Sequence, residues 1–254
     1  DLSSAERALG EGARFLGGGT ILMRAVNEGA PELTRLVRAR ERADDVRIDY
    51  DTVTLGAGVT MARIAAERDL AILGPVARAV GGPAIRSAAT VGGNLHAEAP
   101  YGDFAVALLA LGARIAFAED REPSLDLEAF FAARERYRDR IIRAVRFDRP
   151  RDASEFRFKK VQRVHPKGVA VMTMAAHVPR SGEVRVAYGN MALTPVRVSA
   201  VERALSGGRL DARTIAAAAS VATEGLDPPT DPLATGWYRR EVAPVHLTRM
   251  LEGR

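Results

Sequence analysis

The sequence predicts a mixed chain of helices and strands in two parts, and three observations carry that prediction. Two glycine-rich segments, 17–20 and 82–96, interrupt apolar periodic runs in the first 150 residues. The stretch Arg149-Pro150-Arg151-Asp152 then breaks the pattern. Beyond it come three alternating apolar–polar segments and several helix-like runs.

Taken in order, 4–10 reads as the end of a helix, and 13–16 as a short strand running into Gly17-Gly18-Gly19-Thr20. Thr20 is suited to cap a helix over 21–28, with Gly29 as its stop. Residues 33–37 read as a second strand. The segments 46–49 and 52–58 alternate around Tyr50-Asp51 and predict a hairpin. Thr60 opens a helix over 61–68, and 74–80 is another. The second glycine loop follows, and Asp103 stands where a cap would precede an apolar helix over 104–111. A strand over 114–118, a helix-like run over 125–131 and a strand over 140–147 complete the first part. The second part predicts a three-stranded antiparallel sheet from 156–161, 169–178 and 183–188. Helices over 196–205 and 211–223 follow, then a proline-rich loop and a last helix over 237–251 interrupted by Pro244.

Composition limits the function. The 254 residues are 47% hydrophobic and 27% charged, as in a soluble globular chain. No apolar run reaches the ~20 residues that cross a bilayer. The opening residues lack a basic stretch followed by an apolar one, so no secretory leader is expected and a cytoplasmic location is. The chain opens on Asp1 rather than Met, so it is expected to begin inside a longer one. Cysteine is absent, which excludes thiolate nucleophiles and cysteine-ligated clusters in this sequence. His96, His165, His177 and His246 are too scattered for a metal-ligand pattern, and no metal is expected. The net charge of +5 rests almost wholly on Arg. Most Arg alternate with acids, as in 38–45, which reads as a mixed solvated surface or a match to an acidic partner subunit. It does not read as a nucleic-acid face.

The chemistry sits in the glycine segments. A strand, a glycine loop and a helix start place free N–H groups and a helix dipole at one point, which suits an anion. Gly17 to Thr20 can do this, or can serve only as a tight turn. They form neither the G-x-G-x-x-G fingerprint nor a P-loop. The second segment places Thr90, Gly92, Gly93 and Asn94 within five residues: a hydroxyl, two unobstructed amides and a carboxamide. Two such loops suggest a diphosphate-bearing cofactor held from two sides. Asp103 can accept from sugar or polyol hydroxyls, or simply cap its helix. No nucleophile–base constellation is present, so no catalytic residue is assigned.

The runs Phe15-Leu-Gly-Gly-Gly-Thr-Ile-Leu22, Gly82-Pro-Ala-Ile-Arg-Ser-Ala-Ala-Thr-Val-Gly-Gly-Asn-Leu95 and Pro100-Tyr-Gly-Asp103 resemble the FAD-binding medium subunits of the molybdenum hydroxylases. That family includes the flavin subunits of carbon monoxide dehydrogenase and the flavin domain of xanthine dehydrogenase. The runs Tyr188-Gly-Asn-Met-Ala-Leu-Thr-Pro-Val-Arg197 and Thr235-Gly-Trp-Tyr-Arg-Arg240 resemble landmarks of its C-terminal domain. The resemblance implies an α+β fold. A two-subdomain FAD-binding domain of the PCMH type covers 1–150 (subdomains 1–45 and 46–150), and a three-stranded sheet with a helical bundle covers 151–254. It implies that Gly17, Gly18, Gly19, Thr20, Thr90, Gly92, Gly93 and Asn94 hold the FAD pyrophosphate. Asp103 would lie beside the cofactor and Lys160 near its ring system, unless Lys160 is an ordinary surface lysine.

The implied function is an electron-transfer subunit of an oxidoreductase. Its partners would be a large molybdenum-cofactor subunit and a small iron–sulfur subunit, assembled as a dimer of heterotrimers. Three segments depart from the family pattern: His96, the run Arg163-Val-His-Pro-Lys-Gly168, and Arg138-Asp-Arg140. A non-redox scaffold on the same fold is the alternative, and a stand-alone flavin oxidase a third reading.

Overall fold

The computed structural model describes residues 1–165, 168–207 and 209–253, so Pro166 and Lys167 of the run at 163–168 lie outside the described residues. The chain opens with α1 (Leu2–Arg7), capped by the Asp1 side chain, which accepts from Ser4 N at 2.7 Å. Strand β1 (Ala13–Phe15) pairs in parallel with β2 (Arg35–Val37), and α2 (Leu22–Asn27) lies between them. The hairpin of β3 (Val46–Ile48) and β4 (Thr52–Gly56) forms as the alternation predicts. It joins β7 (Ile142–Asp148), β5 (Arg114–Phe117) and β6 (Leu125–Asp126) in a five-stranded antiparallel sheet of order β3-β4-β7-β5-β6.

Five helices pack around that sheet's core: α3 (Met61–Ala66), α4 (Gly74–Ala79), α5 (Pro83–Ala88), α6 (Val91–His96) and α7 (Asp103–Ala110). Thr60 caps α3 by accepting from Arg63 N, as expected. All eight residues of α7 are buried. A further helix, α8 (Leu127–Ala132), follows β6 and buries Phe130 and Phe131.

The connection 149–155 leaves the five-stranded sheet and enters a second one. Here β8 (Phe156–Gln162), β9 (Ala170–His177) and β10 (Arg185–Gly189) pair antiparallel, and a two-residue β11 (Val196–Arg197) adds a fourth strand at the edge. Successive strand residues point to opposite faces. Met172, Met174 and Ala176 face a core shared with α9 (Ser199–Ala204), α10 (Ala212–Ser220) and α11 (Gly236–Leu251). Ala175 and Ala187 face the other way and complete the core of the first part, where α7 packs on β9 and β10. This sheet is therefore a middle layer, which explains why all of β9 is buried.

Several sequence expectations change, the three-stranded sheet becoming four-stranded among them. Thr20 does not cap α2; Ile21 occupies that place with no side-chain cap bond. The second glycine segment is not a loop but the two short helices α5 and α6. The predicted helix over 196–205 starts only at Ser199, because 196–197 pair with β10. Pro244 does not interrupt α11, which runs unbroken for 16 residues. A proline removes only one donor, so a single carbonyl of the preceding turn, that of Arg240, loses its helical partner while the rest of the ladder stands.

Candidate functional site

The first glycine segment turns the chain from β1 into α2. After Leu16 N, which donates to Val37 O, the amides of Gly17 through Leu22 find no acceptor among the described residues. Helix N-termini always leave orphan donors, and here a glycine turn extends the run. Gly19 sits at φ +73°, in the left-handed region that glycine alone tolerates freely. Gly18 lies against the end of α5, where any Cβ would collide with the carbonyl of Ala88. A Cβ on Gly17 would come within 3.6 Å of Thr90 Oγ1. The fold thus brings the two glycine segments together.

The second segment is organised differently from its reading as a nest of free amides. Thr90 is buried and caps α6, its hydroxyl accepting from Gly93 N at 3.1 Å. Val91 N donates to Val59 O, and Gly92 N to Ala57 O at 2.8 Å. Neither Gly92 nor Gly93 therefore has a free amide to give an anion. Gly92 is a packing glycine, since a Cβ there would meet Ala57 Cβ at 3.0 Å. Gly93 is exposed, and a Cβ there would meet only the Thr90 hydroxyl. Asn94 is buried and braces the turn, its Nδ2 donating to Thr90 O.

Asp103 is the first residue of α7 rather than its cap; Gly102, at φ +90°, holds the cap position. Its carboxylate turns inward. Oδ2 lies 2.7 Å from Lys160 Nζ, and Oδ1 accepts from Thr173 Oγ1. Lys160 also donates to Ala79 O, at the end of α4, at 2.9 Å. Both charged side chains are about one-tenth exposed (11% and 8%), so Lys160 is not a solvated strand lysine. Lys160 and Thr173 are direct cross-strand partners on β8 and β9. A small pocket lined by Tyr101, Asp103, Thr173, Asn190 and Thr194 opens beside them. Arg24, on α2, donates to the Tyr101 hydroxyl at 2.6 Å and ties the first glycine turn to this pocket wall.

Sequence reasoning missed Thr173, Tyr101 and Arg24. For Thr173 a signal existed, a polar residue inside the apolar run 170–178. The landmark Arg239 proves structural. It is fully buried and bonds Val171 O, Pro229 O, Ala234 O and Asp231 Oδ2. His96 packs edge-on to Phe130, and burial pushes its imidazole down to about 4. Among the described residues no cluster of His, Cys, Asp and Glu could hold a metal ion, and no helix is long and apolar enough to cross a membrane.

Comparison with known proteins shows the family. Residues 1–150 match the family described as the FAD binding domain in molybdopterin dehydrogenase, and 156–253 match the CO dehydrogenase flavoprotein C-terminal domain. The chain belongs to this family of FAD-binding oxidoreductase subunits of the molybdenum hydroxylase type.

The glyceraldehyde dehydrogenase medium chain of Sulfolobus acidocaldarius is 26% identical over 176 residues, covering 66% of this chain. The match spans only 62% of that relative's length. The 6-hydroxypseudooxynicotine dehydrogenase complex subunit alpha of Paenarthrobacter nicotinovorans is 25% identical over 257 residues, covering 95% of this chain and 86% of its own length. The solved CO dehydrogenase of Oligotropha carboxidovorans shares the fold at a TM-score of 0.86 and 24% identity, over 99% of this chain and 93% of that one. Quinoline 2-oxidoreductase from Pseudomonas putida does so at 0.84 and 24%, over 100% and 93%.

FAD is the cofactor that this family implies, and the residues present fit it. The amides of 17–22 lack acceptors among the described residues, the close approach to Ala88 leaves no room for a Cβ at 18, and the buried Lys160 ammonium pairs with Asp103, which lines a pocket.

Proposed function

We propose that the protein is the electron-transfer flavoprotein subunit of a cytoplasmic, heteromeric molybdenum hydroxylase. FAD, when bound, would supply the redox chemistry between a partner's iron–sulfur clusters and an external acceptor. This chain's own residues bind and orient. Gly17, Gly18, Gly19 and Thr20 present amides to the pyrophosphate, with Gly93 and the Thr90–Asn94 turn forming the opposite wall. Gly92 serves that wall by letting α6 sit close on Ala57. Asp103 and Lys160 place a fixed ion pair beside the cofactor, where a cation favours the negative charge that flavin gains on reduction.

The observation that carries this reading is the run of amides at 17–22 that have no acceptor among the described residues, beside α5 and α6. The lack of cysteine fits clusters housed in another subunit. The partners in this reading are a large molybdenum-cofactor subunit and a small iron–sulfur subunit, in a dimer of heterotrimers. The division into domains at about 149–152 belongs to the same reading.

The test is the visible spectrum of the purified protein, followed by denaturation and assay of the released FAD. Flavin bands with about one FAD per chain support the reading. A colourless protein that takes up no added FAD, alone or with its partners, overturns it in favour of a scaffold.

A further inference from the structure

We infer that Thr173 is a positioning residue for the flavin, acting through Asp103 and Lys160. This rests on the flavin reading above. Three facts lead to it. Thr173 is 1% exposed and lies in a strand whose other described residues are, His177 apart, apolar. Its hydroxyl donates to Asp103 Oδ1, while Lys160 takes Oδ2. Thr173 and Asp103 both line the pocket, so the contact stands at the site rather than behind it.

The consequence follows from counting donors. An ammonium has three N–H bonds. Lys160 Nζ donates to Ala79 O and lies 2.7 Å from Asp103 Oδ2, so among the described residues no more than two of the three are taken up and one is left for a ligand. A carboxylate can take a cation on one oxygen or on both. While Thr173 occupies Oδ1, Asp103 holds Lys160 through Oδ2 alone, and the third N–H stays free. Without the hydroxyl, Oδ1 is a buried acceptor with no donor, and its remedy is to draw the ammonium toward itself. The ammonium then leaves the position that Asp103 Oδ2 and Ala79 O define. Thr173 thus fixes where the positive charge sits, although it carries none.

The test compares the full chain with its Thr173→Val and Thr173→Ser variants. FAD affinity is measured by quenching of flavin fluorescence, and the flavin midpoint potential by spectroelectrochemical titration. Loss of one hydrogen bond to a charged group is expected to cost about tenfold in the preference for reduced over oxidised flavin. For a two-electron couple, that tenfold is a drop of about 30 mV in Thr173→Val. Thr173→Ser retains the hydroxyl and is expected to match the parent.

Equal potentials and affinities in parent and Val variant overturn the inference, while the flavin reading stands. Equal losses in Val and Ser mark a packing role and also overturn it. A parent chain that binds no FAD overturns both.

Discussion

Replacing Lys160 by Met should destabilise the protein strongly even when no flavin is bound. Lys160 and Asp103 are 2.7 Å apart, with side chains only 11% and 8% exposed. Met keeps the aliphatic stem but removes the charge. Asp103 Oδ2 then becomes a buried charge with no cation, and Ala79 O loses its donor. Breaking a buried pair by removing one partner costs about 3–5 kcal/mol. For chains of this size each kcal/mol shifts the melting point by about 2–4 °C, so a fall of roughly 6–20 °C is expected. The assay is a thermal melt of the flavin-free chain followed by circular dichroism. The double variant Asp103→Leu/Lys160→Met should recover most of the loss, because a buried ion pair replaced by apolar side chains is often neutral. It should still bind FAD poorly. A single variant that melts within about 2 °C of the parent would refute the pairing, since breaking a buried pair costs more than that. So would a double variant no more stable than the single.

Other expectations follow from the same structure. Gly93→Val should abolish FAD uptake yet leave the melting point nearly unchanged, because Gly93 is exposed and a Cβ meets only the Thr90 hydroxyl; fluorescence titration and a melt separate the two effects. Gly18→Ala should instead cost about 1–3 kcal/mol through its clash with the Ala88 carbonyl, read as a lowered melting point with or without flavin. Burial holds the His96 ring neutral down to about 4, against an ordinary value of 6.5. The unfolded chain therefore binds more protons between those values, and the stability that His96 contributes is full above about pH 6.5 and lost toward pH 4. Melts at pH 7 and pH 5 should show a smaller acid-induced drop in His96→Phe than in the parent. A fragment ending at residue 150 should fail to melt cooperatively, because Ala175 and Ala187 complete its core and Asp103 loses both its partners; calorimetry of that fragment checks this.

The order of elements is legible in the sequence wherever a local rule decides. The hairpin of β3 and β4 follows from alternation, α3 from the Thr60 cap, and β9 from an apolar run. What misleads is tertiary override of propensity. Gly92 and Gly93 argue against a helix, yet α6 forms because Thr90 caps it and Gly92 packs on Ala57. Val196 and Arg197 fit a helix but sit beside β10, whose open edge takes them. Pro244 signals a break, but α11 absorbs it because a single lost donor is a local defect in a 16-residue helix.

The site divides along the same line. Glycines betray themselves in sequence by their clustering, although the need differs: Gly19 is required by its own positive φ and Gly18 by a close approach to Ala88. Sequence alone does not tell which glycines face a ligand and which face the protein. Gly92 and Gly93 are neighbours in different settings, Gly92 against Ala57 and Gly93 exposed. The pairing of Asp103 with Lys160 has no local signature at all. It exists because α7 packs on β9 and β10, and because the register sets Lys160 of β8 opposite Thr173 of β9. Asp103 and Ala79 come from the segment that matches one family, Lys160 and Thr173 from the segment that matches the other. The Asp103–Lys160 pair is therefore held by the contact between the two segments. A substitution that shifts that contact is expected to change the flavin before it changes either segment's own fold.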